Sequence, residues 1–185
     1  MGGGNIIMID VGDFFLVEPS EIYAEQIREY RQDFLDTNCS MDGCGPLRKC
    51  EDPFTYISEC EKCTAQDTLP EGLVIATQFF YVRKADNRLV GMIQVRHYFN
   101  DYLSKFGGHI GYSIRPSERR KGYATSMLNA ILPYCREIGL DKLLITCIDG
   151  NIGSEKTIRN NGGVYESTVY ESGKNCSLKR FWITL

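Results

Sequence analysis

The sequence has little of what several common classes of protein require. Lysine and arginine total 21 against 24 aspartates and glutamates, which gives a net charge of −3, whereas a broad nucleic-acid surface normally needs a basic excess. No apolar run reaches the length of about 18 residues that a membrane span requires. The amino terminus lacks a positively charged stretch ahead of a long apolar one, so no secretory signal is predicted. We therefore expect a cytoplasmic protein that binds neither nucleic acid nor membrane.

Two common phosphate-binding motifs are also missing, namely GxxxxGK followed by Ser or Thr, and GxGxxG. An anion must then be met by a local group of donors, and one such group stands out, the basic segment Arg119–Ala124. It opens a predicted helix, whose first backbone N–H groups are free and whose dipole attracts negative charge. Gly122 would let a ligand approach the backbone closely. The segment is typical of a pyrophosphate site, with a solvated basic helix start as the alternative.

The chain has eight cysteines, and five of them fall between residues 39 and 63. Cys60 and Cys63 form a CxxC motif, but a zinc site usually needs a second close pair or histidine ligands. The other spacings are irregular and neither of the two histidines lies nearby. We therefore expect reduced thiols and no metal, and a zinc-dependent interaction protein is an alternative.

The hydrophobic pattern predicts one domain over residues 1–185, with a flexible N-terminus at 1–13 and an irregular Cys-containing segment at 37–72. Pro133 should bend the helix in which it lies. The predicted strands are 14–17, 74–83, 89–98, 109–115, 142–148, 164–170 and 178–184, and the predicted helices are 21–36 (with Ser20 as N-cap), 118–138, 153–160 and a possible short helix after Pro53. This order predicts an α/β fold with a mixed sheet.

The segment after the strand 109–115 fits a known motif. Arg119, Gly122 and Ala124 match the pattern (Q or R)-x-x-G-x-(G or A), and in this the sequence resembles the GNAT superfamily of N-acetyltransferases. The context is similar too, because an apolar helix and the strand 142–148 follow the motif.

Further along the chain, Asn151 and the helix end at 161–163 occupy the places of the family's asparagine and helix-terminal glycine. The resemblance covers residues 74–184. It implies a central, mostly antiparallel sheet in which one parallel pair of strands splays apart, flanked by helices.

The resemblance also implies acetyl-CoA as co-substrate, direct transfer to an amine of a small molecule or peptide, no metal, and a possible homodimer. The backbone N–H near Ile114 would face the acyl oxygen, and the pyrophosphate would lie on the amides of residues 120–125. The implied cofactor-binding residues are Tyr112, Ser113, Ile114, Arg119, Arg120, Lys121, Gly122, Tyr123, Ala124, Thr125 and Asn151.

The proton-transfer groups are less clearly marked. Many GNAT proteins carry a tyrosine seven residues after the asparagine, and Ile158 stands in that place here, so the general acid is unassigned. An imidazole titrates near neutral pH, which makes His109 and His97 candidate bases; a hydrogen-bonded position at a strand end is the alternative for each. Glu118 is a weaker candidate. The departure at Ile158 also leaves open a non-catalytic acyl-CoA-binding module of the same fold.

Overall fold

The computed structural model describes residues 6–185. Its strands are β1 (Met8–Val11), β2 (Phe14–Val17), β3 (Ala76–Arg83), β4 (Arg88–Arg96), β5 (Ile110–Ile114), β6 (Lys142–Ile148), β7 (Val164–Glu171) and β8 (Cys176–Thr184). The α-helices are α1 (Ala24–Asp36), α2 (Pro53–Lys62), α3 (Tyr123–Glu137) and α4 (Ile152–Asn160). Two 3-10 turns, Glu21–Tyr23 and Pro116–Glu118, and a short π-helix, Leu103–Gly107, complete the elements of the described chain.

The strands form one sheet in the order β1-β2-β3-β4-β5-β6-β8-β7. Every neighbouring pair is antiparallel except β5 and β6, which run parallel. These two strands share a single register pair, Ile110 with Ile145, and no ladder continues toward their carboxyl ends. The prediction of a mixed sheet with one splayed parallel pair is thus confirmed.

Strand alternation directs side chains to two covered faces. On one face, Ile110 and Ile114 pack with the apolar side of α3, including Met127 and Ile131, and this is the α3/α4 face. On the other, Ser113 contacts the Tyr30 hydroxyl of α1, and this is the α1/α2 face. The apolar clusters on the two faces are separate, so the sheet lies between two hydrophobic cores, and β5 is one of its central strands.

Several element boundaries differ from the predictions. Residues 8–11 form β1 and pair with β2, so the flexible N-terminus predicted for residues 1–13 is wrong at least there; residues 1–5 lie outside the described part. Ser20 makes no side-chain capping bond, since a 3-10 turn comes before α1. The third helix begins at Tyr123 instead of residue 118, because a 3-10 turn at Pro116 and a left-handed Gly122 intervene. It continues through Pro133 as far as Glu137.

The Cys-containing segment has more structure than its composition indicated. The short helix predicted after Pro53 is present as α2, and the Asp52 carboxylate caps it by accepting from the Thr55 amide at 2.8 Å. Before it, the loop passes tightly over β5, where a Cβ atom on Gly43 would lie 2.1 Å from the Gly111 carbonyl carbon. The segment therefore covers one side of β5.

All eight cysteines are free thiols, and Cys44 and Cys60 are buried. Burial raises the pKa of the Cys44 thiol to about 12. Within residues 6–185, no group of three or more His, Cys, Asp or Glu side chains is arranged to hold a metal ion. None of the described helices is both long and apolar enough to cross a membrane.

Candidate active site

The backbone between β5 and α3 forms an open concavity lined with amides. Arg120 and Gly122 have left-handed backbone angles, with φ of +63° and +81°, and such residues turn neighbouring N–H groups outward into an anion-binding nest. The first amides of α3 have no intrahelical acceptor. Within the described chain, no protein acceptor contacts the amides of residues 120–125. A Cβ atom at Gly122 would meet nothing within 4 Å, so the space in front of the loop is open.

The basic side chains of the loop differ in their roles. Arg119 is exposed, but its side chain is held by neighbouring residues: its Nε donates to the Ile114 carbonyl at 3.1 Å, and its guanidinium lies over the Phe34 ring at 5.5 Å. Lys121 pairs with the Glu118 carboxylate at 2.8 Å. Arg120 is exposed and makes no hydrogen bond or ion pair with any described residue. Of the three, Arg120 is the cation free to meet a ligand.

Glu118 is the buried centre of an ion-pair network and a poor candidate for a base. Its carboxylate is contacted by Arg83 at 3.0 Å and by Arg88 at 3.4 Å, in addition to Lys121. Burial by itself would raise the pKa of Glu118, but the hydrogen bonds from Arg83 and Lys121 hold it below its ordinary value. The carboxylate thus neutralises nearby cations and fixes the start of the loop.

The next three residues, Tyr123 to Thr125, attach the start of α3 to the rest of the domain. Tyr123 packs edge-on against Phe14 with ring centroids 5.0 Å apart. Ala124 packs against the apolar core of the α3/α4 face. The Thr125 carbonyl accepts from the Asn161 side chain at 3.2 Å. The side chains of Tyr123 and Ala124 are thus occupied by packing, and their backbone amides are the groups left to contact a ligand.

A slot opens beside β5 where the parallel ladder stops. The Arg115 amide donates to the Val90 carbonyl of β4 at 2.9 Å. Because backbone polar groups alternate sides along a strand, those of Tyr112 and Ile114 must point away from β4, toward β6. The Ile114 carbonyl accepts a hydrogen bond from the Arg119 side chain. Tyr112 therefore presents an N–H and a C=O to the slot, and Ile114 presents an N–H.

Ser113 belongs to the other side of the strand. Its carbonyl and its hydroxyl each lie 3.1 Å from the Tyr30 hydroxyl, and its hydroxyl lies 3.0 Å from the Cys44 sulfur. The side chain is thus held on the α1/α2 face, away from the α3/α4 side of the slot.

A hydroxyl pair that the sequence did not reveal lies on the α3/α4 face, between β5 and α4. The Tyr112 side chain reaches α4, where its hydroxyl is 2.8 Å from the Ser154 hydroxyl. Burial raises the pKa of Tyr112 to about 12, which keeps the phenol protonated. Ile158, at the position where a tyrosine was expected, is fully buried in the core. A phenol is therefore present, but it comes from β5 instead of α4.

Asn151 caps the helix that carries this pair. Its side-chain oxygen accepts from the Ser154 amide at 3.1 Å, and Asn151 itself is exposed. It lies at the start of α4, shortly after the carboxyl end of β6, and its role in cofactor binding stays a prediction.

His109 joins the two strands at the start of the slot. Its Nδ1 accepts from the Leu144 amide at 3.0 Å, and its own amide donates to the Leu144 carbonyl at 2.8 Å. Burial, with the nearby charge of Arg96, lowers the pKa of His109 to about 4. With Nδ1 accepting, a neutral imidazole carries its proton on Nε2 and offers a substrate no free acceptor. The geometry favours a positioning role, and a role as base stays a prediction.

His97 follows Arg96, whose amide donates to the His109 carbonyl at 2.8 Å, but its imidazole has a separate partner. Its Nε2 is 3.0 Å from the Thr77 hydroxyl, which also bonds the Tyr134 hydroxyl at 2.8 Å. Burial lowers the pKa of His97. Tyr134 lies in the last turn of α3, and a rise of about 1.5 Å per residue places it roughly 16 Å along the helix from Tyr123. The structure therefore does not bring His97 to the amide-lined loop.

Comparison with known proteins agrees with this geometry. Residues 46–164 match the family model described as the acetyltransferase (GNAT) domain, a stretch that includes the loop, the slot and Asn151. The chain belongs to the GNAT acetyltransferase family. A GNAT domain accounts for the splayed strands and the open amides together.

Individual relatives are distant. A curated protein of Bacillus subtilis strain 168, the uncharacterized N-acetyltransferase YnaD, is 30% identical over 88 residues, which are 47% of this chain and 49% of that protein, so the match spans about half of each. The ribosomal-protein-S5-alanine acetyltransferase of Vibrio fischeri superposes with a TM-score of 0.72 at 15% identity, covering 96% of both chains. RimJ of Mycobacterium smegmatis, in complex with a CoA disulfide, gives 0.70 at 17%, covering 97% of this chain and 86% of its own. These two structures share the GNAT fold.

Proposed function

We propose that this GNAT protein transfers an acetyl group from acetyl-CoA directly to a primary amine. The observation that carries the proposal is the row of open amides at residues 120–125, placed at the end of a slot whose wall offers the free polar groups of Tyr112 and Ile114. A diphosphate needs several converging donors, and an amide-containing arm needs a strand edge to pair with. The loop supplies the converging donors, and the slot supplies the strand edge.

In this assignment the amides of residues 120–125 and the Arg120 guanidinium hold the pyrophosphate. The pantetheine arm pairs with the Tyr112 and Ile114 backbone, and Asn151 flanks it. The amine attacks the thioester carbonyl carbon, a backbone N–H of the slot donates to the developing oxyanion, and the carbon–sulfur bond breaks. The Tyr112 hydroxyl is the group placed to donate a hydrogen bond to the departing sulfur.

His109 would serve this reaction by keeping β5 joined to β6 at Leu144 while the strands separate beyond it. The acceptor nitrogen of His109 is occupied by the Leu144 amide, and the imidazole of His97 is directed to the Thr77 hydroxyl, away from the amide-lined loop, so we assign the proton of the amine to water. The predicted base is tested below by substitution.

Two measurements test the function. Coenzyme A should raise the melting temperature of the purified protein, and acetyl-CoA with a panel of primary amines should release free thiol and give products heavier by one acetyl group. One similar structure is named a ribosomal-protein-S5-alanine acetyltransferase, and another, from Salmonella typhimurium, is described as modifying the N-terminal serine of ribosomal protein L7/L12. The panel should therefore include peptides with free N-terminal alanine or serine. Stabilisation without transfer to any amine would favour the acyl-CoA-binding module; absence of stabilisation would contradict both.

A further inference from the structure

A buried carboxylate oxygen on the α1/α2 face accepts no hydrogen bond from the described chain. Glu171, the last residue of β7, is 5% exposed. Its Oε1 accepts from the Tyr102 hydroxyl at 2.8 Å, whereas its Oε2 makes no hydrogen bond to any described residue. Buried polar groups are normally satisfied, and leaving a carboxylate oxygen without a donor is costly. Glu171 Oε2 can therefore accept a hydrogen bond that no described residue donates.

The chain shows what kind of donor fits there. The Lys174 ammonium, from the turn between β7 and β8, lies 2.7 Å from the Tyr102 hydroxyl and 5.4 Å from the centre of the Tyr102 ring. It approaches Glu171 Oε2 to 3.7 Å, which is within ion-pair range and too long for a hydrogen bond. The Lys174 side chain is 65% exposed, and pairs with such exposed lysines are weak. A primary ammonium is thus accommodated there without being firmly held.

The surrounding charges favour a cation at this point. The hydrogen bond to Tyr102, with the nearby charges of Glu171 and Asp42, raises the pKa of Lys174. Arg96 is a second cation nearby, and its guanidinium donates to the carbonyls of Gly107 and Gly108 at 3.3 and 3.2 Å. Glu171 and Asp42 therefore face the ammonium, while the charge of Arg96 is directed to the backbone.

The position is next to the slot on the α1/α2 face. Tyr102 immediately precedes the short π-helix that ends at Gly107, and Gly108 bridges to Ile145 where β5 and β6 begin to separate. Asp42 adjoins Gly43, which packs against Gly111 of β5. The amide-lined loop opens α3 and so belongs to the other face.

We propose that Glu171, together with Tyr102, binds the primary ammonium of the acetyl acceptor, and that Lys174 occupies this place until the acceptor displaces it. The bound ammonium gives up one proton to water before its nitrogen attacks the thioester carbonyl carbon, and the second proton leaves to water after the attack. The inference rests on the proposed function, since it assigns a substrate-binding residue to the same reaction. It predicts acceptors with an unsubstituted, positively charged amino group.

The test compares Glu171→Gln with Glu166→Gln. Glu166 lies on the same strand but is fully engaged by Arg180 and Trp182. With the best amine of the panel, Glu171→Gln should raise the KM for the amine at least tenfold and leave the coenzyme A-induced rise in melting temperature unchanged. Glu166→Gln should change the KM less than twofold. Lys174→Met, which removes the competing ammonium, should lower the KM for the amine.

A second readout does not depend on turnover. n-Butylamine should stabilise the coenzyme A-saturated wild type and fail to stabilise Glu171→Gln, and the uncharged isostere n-butanol should stabilise neither. If acetyl transfer fails for every amine but this binding pattern is found, the proposed function falls and the ammonium site stands. If wild type transfers acetyl groups and Glu171→Gln has an unchanged KM, the ammonium site is refuted.

Discussion

The two glycines at the ends of α3 allow a matched test of the pyrophosphate loop. Gly122 and Gly139 both have left-handed backbone angles, with φ of +81° and +85°. At both, an added Cβ would meet nothing within 4 Å. Replacing either by glutamate therefore introduces the same backbone strain and the same charge, at opposite ends of one helix. Only the Gly122 substitution places that charge in the proposed pyrophosphate site.

The cost to stability should be similar for both variants. A left-handed non-glycine residue costs about 1–2 kcal/mol, which lowers the melting temperature of a domain of this size by roughly 2–8 °C. The cost to binding should differ. A carboxylate about 5 Å from each of two phosphate charges, at an effective dielectric of about 40–80, opposes binding by roughly 2–3 kcal/mol. We therefore expect Gly122→Glu to weaken coenzyme A binding about 30- to 150-fold.

Isothermal titration with coenzyme A and thermal unfolding with and without it would measure both effects. Gly139→Glu should keep the wild-type affinity despite its lower melting temperature. Unchanged affinity in Gly122→Glu, or an equal loss in both variants, would show that the loop is not the pyrophosphate site.

Substitutions at four further positions test the remaining assignments. Tyr112→Phe should lower kcat about tenfold or more with little change in coenzyme A affinity, because it removes the donor to the departing sulfur; an unchanged kcat would exclude this role. Arg120→Ala should weaken coenzyme A binding more than Lys121→Ala does, since Lys121 is already paired with Glu118, and calorimetry giving the reverse order would contradict the assignment. His109→Ala should slow turnover with little effect on coenzyme A affinity, and full activity would remove His109 from any role. The pKa of His109 falls from 6.5 to about 4 on folding. Between these pH values the unfolded chain binds a proton at His109 and the folded chain does not. The free energy of unfolding of the wild type should therefore fall by at most about 3 kcal/mol as the pH drops from 6.5 toward 4. His109→Asn should show a smaller decline in melting temperature over that range.

The sequence was informative wherever the chemistry is local. Arg119, Gly122 and Ala124 lie within one strand–loop–helix unit, so their spacing alone places amides and a glycine at a helix start. Apolar alternation likewise located β3 to β6. It failed at β1, because a strand of four residues at a sheet edge has too few buried positions to produce a clear pattern.

The function of each charged side chain in the loop depended on neighbours far along the chain. Arg119 contacts Phe34, and Glu118 contacts Arg83 and Arg88. From sequence, the basic residues of the loop looked equivalent. Packing leaves Arg120 as the one without a partner among the described residues.

By itself, the sequence determined the family, the mixed sheet and the place of the amide-lined loop, since each follows from local periodicity and a contiguous motif. Only the tertiary structure brought Tyr112 to Ser154 and Tyr102 to Glu171, pairs that are 42 and 69 residues apart. The same folding placed the Nδ1 of His109 on the Leu144 amide. Hydrogen bonding and burial between distant segments set the chemistry of these side chains, and no spacing rule along the chain encodes such contacts.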